Sequence, residues 1–233
     1  MAQPTSARSG LLQRVLSRIR PQSGEAASVP AGVLLGWYLR KGVVPAIAGT
    51  LRSATFGSAR LPLFVGPGTH IEYARRIRAG RSVLIGRSSV INAFSTDGVH
   101  LGDRVTIREN AWINCSSHPS NPGSTLVIGE RTYIGPRVTI GVGGPITIGR
   151  DCQFGANCTL IAENHEVGDD GVSNHSVLRK GIVVGDGVWL GHGVTILDGV
   201  TLGDNTVVGA GAVVTKSFPA NSKIAGVPAK LIG

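Results

Sequence analysis

From about residue 85 onward an aliphatic residue returns every six positions, usually followed by glycine. Ile128, Ile134 and Ile140 open the hexads IGERTY, IGPRVT and IGVGGP. Ile148, Phe154 and Leu160 resume the series after a two-residue slip, and Leu101, Ile107 and Ile113 form an earlier unbroken set. The longest run is Val184, Leu190, Ile196, Leu202, Val208 and Val214. A period of six fits neither a helix at 3.6 residues nor a strand alternating at two. It fits short strands with a corner at fixed intervals. The aliphatic side chain points inward and stacks on its equivalents, and the glycine beside it lets the backbone turn without a Cβ clash. One coil cannot bury its apolar face alone, so many must stack. The expected fold is therefore all-β, a parallel β-helix of hexapeptide repeats spanning residues 82–233. A chain with 34 glycines and only 5% aromatic residues suits that architecture better than a helical or sandwich domain.

The charge is unevenly placed. Residues 1–81 hold 12 Lys/Arg against 2 Asp/Glu, whereas residues 82–233 hold 11 against 12. The net +9 thus describes an N-terminal segment. A basic groove for nucleic acid would run through the folded domain, so no nucleic-acid partner is expected. An anionic membrane surface suits a basic arm better. Within residues 1–30, Leu11, Leu12, Val15, Leu16 and Ile19 share one helical face, with Arg8, Arg14, Arg18 and Arg20 elsewhere. This is a short basic amphipathic helix, either a cap on the open end of the solenoid or a peripheral membrane contact, followed by a linker at 21–30. Rich in Arg and Ser and free of acid, residues 1–20 also resemble a mitochondrial transit peptide. Residues 31–81 read as a basic and apolar lead-in. Their apolar run is interrupted by Arg40, Lys41 and Pro45, which argues against a spanning helix. No secretory signal is expected. Cys115, Cys152 and Cys158 are odd in number and form no CxxC pair, so neither a disulfide framework nor a zinc site is expected. They read as reduced thiols packed as small hydrophobes in a cytoplasmic protein, at most peripheral at the inner membrane face.

Three breaks interrupt the period. Residues 92–100 and 115–126 are short polar excursions, and 162–181 is a long one that returns to the same phase at Val184. A long loop on a regular solenoid is a natural place for function.

At residues 184–232 the sequence becomes specific. VGDGVWLGHGVTILDGVTLGDNTVVGAGAVVTKSFPANSKIAGVPAKLI resembles the C-terminal signature of the hexapeptide-repeat acyltransferases, in their maltose/galactoside acetyltransferase and bacterial polysaccharide O-acetyltransferase branch. The resemblance covers roughly residues 82–232. It implies a left-handed β-helix, a homotrimer and acetyl-CoA bound in clefts between neighbouring subunits, with no metal.

Acetyl transfer from a thioester needs a base for the acceptor proton, donors for the oxyanion and a dock for CoA. A neutral imidazole suits the base because its pKa lies near neutrality. The resemblance assigns that role to His165, in the loop after the coil ending at Leu160. Glu163, Glu166 or Asp169 could orient its other ring nitrogen, and sequence does not choose among them. Asn164 and His175 are candidate acceptor contacts, and His118 lies in another excursion. His192 follows Trp189 to Gly191 where the galactoside branch has a serine, so its side-chain role is open while its backbone N–H can still serve. Ala210, Thr215 and Lys216 match CoA-contacting positions, and Lys216 and Lys230 are cations placed for the CoA phosphates. Trp189 reads as packing.

The function these residues imply is O-acetylation of a sugar or glycan hydroxyl, with a lipid-linked glycan as one acceptor. N-acetylation of an amino sugar or an antibiotic is the alternative within the enzymes. A non-catalytic assembly β-helix is the rival class, and a metal hydratase would need three histidine ligands that the spacing of the six histidines does not offer.

Overall fold

The computed structural model describes residues 30–116, 118, 120–168 and 171–232. The amphipathic helix expected at 8–20 and its linker lie outside them. The chain divides into two units, up to Val43 and from Val44 onward. The first contains helix α1, Ala31–Tyr38, and a π-helical turn, Leu39–Val43. The second opens with helix α2, Val44–Ser53, and continues as a solenoid of short strands.

Three parallel sheets form the solenoid's faces. Face 1 has seven strands, among them Ile77–Ala79, Leu126–Ile128 within Gly123–Ile128, Ile146–Ile148 and Ile182–Val184. Face 2 has nine and runs through Val83–Ile85, Gln153–Phe154, Trp189–Leu190 and Val207–Val208. Face 3 has seven, including Trp112–Asn114, Thr159–Ile161 and Thr195–Leu197. The strands pair in parallel with the strand one coil away, as Ile146 with Ile182 and Leu160 with Ile196, except the last of face 2, Lys230–Leu231, which is antiparallel to Lys223–Ala225. The hexad aliphatics are the core: Ile128, Ile134, Ile140, Ile148, Phe154, Leu160, Leu190, Ile196 and Leu202 are all buried. Burying each side chain of this kind is worth about 1.5–3 kcal/mol.

A second inward position lies two residues before many of these aliphatics and is filled by smaller groups. On face 2 it is occupied by Val83, Val105, Thr132, Cys152, Val188, Thr206 and Ser222, all buried. Its polar members close hydrogen bonds to corner carbonyls. Thr132 Oγ1 donates to Gly149 O at 2.7 Å, and Cys152 Sγ to Gly185 O at 3.1 Å. The three cysteines are free and buried.

Corners recur at six-residue spacing as left-handed residues: Ser82 and Ser88, Arg104 and Asn110, Arg131 and Arg137, Asp151 and Asn157, all with φ between 53° and 60°. Most are not glycine, and each such conformation costs about 1 kcal/mol or more, least for Asn and Asp.

The parallel ladder begins earlier than residue 82. Ser58 pairs with Arg78, Leu63 with Val83 and His70 with Val90, so a complete coil lies inside the lead-in. Helix α2 covers it. A Cβ on Gly49 would sit 1.9 Å from Leu63 O, so the helix packs there on bare backbone.

Trp189, read as packing, lies on the outward face of the solenoid and not in its core. The residue before each inward aliphatic faces out, and Trp189 is 56% exposed.

Candidate active site

The long excursion leaves the solenoid where face 3 ends, after Ile161. It forms an antiparallel hairpin of Asn164–Gly168 with Gly171–Leu178, pairing Asn164 with Leu178 and His165 with Val177. His165 therefore sits at the hairpin base, one residue beyond its exit, with an exposed side chain. Asn164 is exposed beside it. His175 lies on the returning strand, and its side chain, like that of Glu166, is outside the described residues, as is Asp169.

Glu163, one of the three acids considered as partners of His165, is engaged elsewhere. Its Oε2 accepts from Arg179 Nη2 at 3.1 Å, tying the two legs of the hairpin together below His165. Arg179 Nη1 reaches Pro122 O at 3.4 Å, so the same guanidinium joins the hairpin to the 115–126 excursion. Its Nε is buried without a hydrogen-bond partner. Asp198 completes the re-entry, accepting from Lys180 N at 3.0 Å and Gly181 N at 2.7 Å. Sequence reading passed over Arg179 and Asp198. The one signal was position, and only for Arg179, which lies just before the period resumes; Asp198 reaches the re-entry from the next coil.

His118, in the shorter excursion, is exposed and its Nδ1 lies 2.6 Å from Ser120 Oγ. Among the described residues, no three His, Cys, Asp or Glu side chains converge as metal ligands.

The expected CoA contacts form a second group at the corner between faces 2 and 3. A Cβ on Gly155 would meet His192 N at 2.7 Å, and one on Gly191 would meet Ala210 N at 2.6 Å. Gly155, Gly191 and Gly209 thus stack as a column without side chains, with His192 and Ala210 exposed beside it. His192 O accepts from Gly211 N at 2.8 Å. Lys230, exposed on the last strand, pairs with Ala225, whose Cβ lies over Gly209. Thr215 and Lys216 are exposed at the opposite end of face 3, at the corner from which the His165 hairpin departs two coils away. Lys216 Nζ lies 5.7 Å from the Phe218 ring centre.

The structure therefore sorts the expected residues into two groups. His165, Asn164, Thr215 and Lys216 share one corner. Gly191, His192, Ala210 and Lys230 share the other. A three-residue strand separates them, roughly 10 Å. That spread is wider than a near-attack geometry allows, so one chain alone does not bring His165 to the Gly191–Ala210 column.

The chain carries the transferase hexapeptide repeat, and its fold is the left-handed parallel β-helix of the hexapeptide-repeat acyltransferases. The model for the bacterial transferase hexapeptide (six repeats) matches residues 181–216, and that for the hexapeptide repeat of succinyl-transferase matches 76–115 and 145–172. No curated protein matches the chain. Among solved structures, AntD, an N-acyltransferase from Bacillus cereus in complex with dTDP and coenzyme A, is 14% identical, covers 79% of this chain and 87% of its own, and superposes with a TM-score of 0.53. A hexapeptide-repeat acetyltransferase from Vibrio cholerae is 23% identical over 86% of each chain, with a TM-score of 0.49. A galactoside acetyltransferase in complex with coenzyme A is 22% identical, covering 98% of this chain and 84% of its own, with a TM-score of 0.47.

Proposed function

We propose that the chain is an acetyl-CoA-dependent O-acetyltransferase acting on a sugar or glycan hydroxyl, and that it works as a homotrimer. The observation that carries this reading is the division of the expected site between two corners of one solenoid. Each copy offers a base at one corner and a bare-backbone column at the other. A ring of copies brings unlike corners together.

In this reading the pantetheine arm lies along the Gly155–Gly191–Gly209 corner, beside the exposed His192 and Ala210. The N–H of His192 lies beside it as an oxyanion donor. Lys216 and Lys230 meet the CoA phosphates as point charges. His165, exposed on a braced hairpin, removes the acceptor proton as the hydroxyl oxygen attacks the thioester carbon. The tetrahedral intermediate collapses with expulsion of the CoA thiolate, which takes up a proton. AntD sets dTDP and coenzyme A on this fold, which agrees with a CoA donor.

The test is release of CoA thiol from acetyl-CoA across a panel of sugars, nucleotide sugars and glycans. The expected result is acceptor-dependent release that falls about a hundredfold or more in His165→Ala. Acceptor-dependent release unaltered in that variant would remove His165 from the chemistry.

N-acetylation of an amino sugar is the second reading, favoured by the N-acyltransferase activity named for AntD. Hydroxylamine separates the two, because it cleaves an O-acetyl ester and leaves an amide.

A further inference from the structure

Helix α1 and its π-helical turn expose most of their large apolar side chains. Val33 is 60% exposed, Leu35 53%, Trp37 50% and Leu39 43%. Val43 is exposed as well. These are not a stripe. Steps of two residues advance about 200° around a helix, so 33, 35, 37 and 39 alternate sides. A helix apolar on opposite sides is one that is buried, in a protein core or in lipid. Of these, lipid at the headgroup–acyl boundary takes up a helix too short to span.

The charges point to the same medium. No acidic residue occurs from 26 to 71, and Arg40 and Lys41 follow the apolar turns directly. Trp37 and Tyr38 meet edge to face with ring centres 5.0 Å apart, the residue pair typical of the bilayer–water boundary. Eight residues of helix extend about 12 Å, far short of a bilayer. Among the described residues no helix is long and apolar enough to cross a membrane. The following helix, taken by itself, repeats the theme: Pro45 and Gly49 are buried, and Val44, Ile47 and Leu51 are exposed.

We infer that residues 31–43 form a membrane-interface element that embeds shallowly among the headgroups of an anionic bilayer, with Trp37 and its apolar neighbours in the acyl boundary and Arg40 and Lys41 on lipid phosphates. This moves the peripheral contact from the amphipathic helix expected at 8–20 to the segment after it. It stands apart from the transferase reading, because neither Trp37 nor Arg40 belongs to the candidate site.

The experiment is flotation of the full chain with vesicles of phosphatidylcholine and phosphatidylglycerol in a three-to-one mixture, beside vesicles of phosphatidylcholine alone. Sedimentation of the lipid-free protein and acetyl-CoA titration are run as controls on assembly and fold. The parent chain floats with the anionic vesicles, and its partitioning falls steeply with salt. Leu35→Asp with Trp37→Asp lowers partitioning at least about tenfold with residues 1–29 intact. Arg40→Ala with Lys41→Ala lowers it about 25-fold at low salt. Acetyl-CoA binding and oligomeric state stay those of the parent in both variants. Equal flotation of the Leu35/Trp37 variant and the parent would overturn the inference and leave any lipid contact to residues 1–29. So would a parent that ignores vesicles while the variant changes its state of association, the outcome expected if a second copy covers the helix.

Discussion

Arg179 shows how a side chain outside the candidate chemistry can govern it. Its guanidinium spans both legs of the His165 hairpin and the neighbouring excursion, and no other described side chain joins all three. In the proposed reaction it would serve as a positioning residue. Arg179→Gln is expected to lower turnover by about ten- to a hundredfold while leaving acetyl-CoA affinity unchanged, because the base loses its alignment and the CoA column does not. Arg179→Lys should recover part of the loss by keeping the charge opposite Glu163. A weaker acetyl-CoA affinity in Arg179→Gln would mean a general loss of structure. The thiols make a second prediction. Burial holds the Cys115 pKa up to about 12 and raises those of Cys152 and Cys158. The native state therefore keeps protons that the unfolded chain releases above its ordinary thiol value of 9.0. This contribution to stability is complete below pH 9 and is lost as pH rises from 9 toward 12. Thiol titration of the native protein with a disulfide reagent near neutral pH should find all three silent, and denaturant should expose them together.

At the scale of the element, the hexad works because each inward side chain is followed by a corner with no room for more. Gly155→Ala would push a Cβ to 2.7 Å from His192 N, against backbone that cannot move without shifting a coil. It is expected to cost about 1–3 kcal/mol. Ser82→Asn, at φ 59°, should instead stabilise by a few tenths of a kcal/mol or more, since Asn tolerates the left-handed corner better. Denaturant melts of the two variants check both signs. The inward rows were legible in the sequence because one aliphatic per hexad is enough to mark them. The smaller inward position was not, because Thr132, Cys152 and Ser222 share a place and no chemical type. The first coil was hidden for a related reason. Val65, Ile71 and Ile77 keep the six-residue step and Gly66 follows Val65. However, Arg75, Arg76 and Arg78 around them read as a charged lead-in. Trp189 lies outside the core because its hexad phase turns it outward. His165 was legible through resemblance, and Arg179 was not, because a cation in a polar loop looks solvated until its partners are seen.

Across the whole molecule, the fold spreads its candidate chemistry over two corners and leaves Trp112, Val90 and Trp189 exposed on the outward faces. Those faces are the surfaces over which copies would meet. Co-expression of His165→Ala chains with Ala210→Trp chains should then restore acceptor-dependent thiol release that neither shows alone. A site assembled from two copies regains one intact pairing of base corner and column. Absence of rescue, with mixed oligomers demonstrated, would place both halves in one chain. Beneath all of these lies the claim that the bare-backbone column takes acetyl-CoA. Calorimetric titration of the purified chain with acetyl-CoA, beside CoA alone and beside Ala210→Trp, addresses it directly. Micromolar binding to the parent, about −8 kcal/mol, is expected, with loss of the heat in Ala210→Trp. A folded parent chain that gives no heat with acetyl-CoA or CoA would contradict it and leave a β-helix without this chemistry.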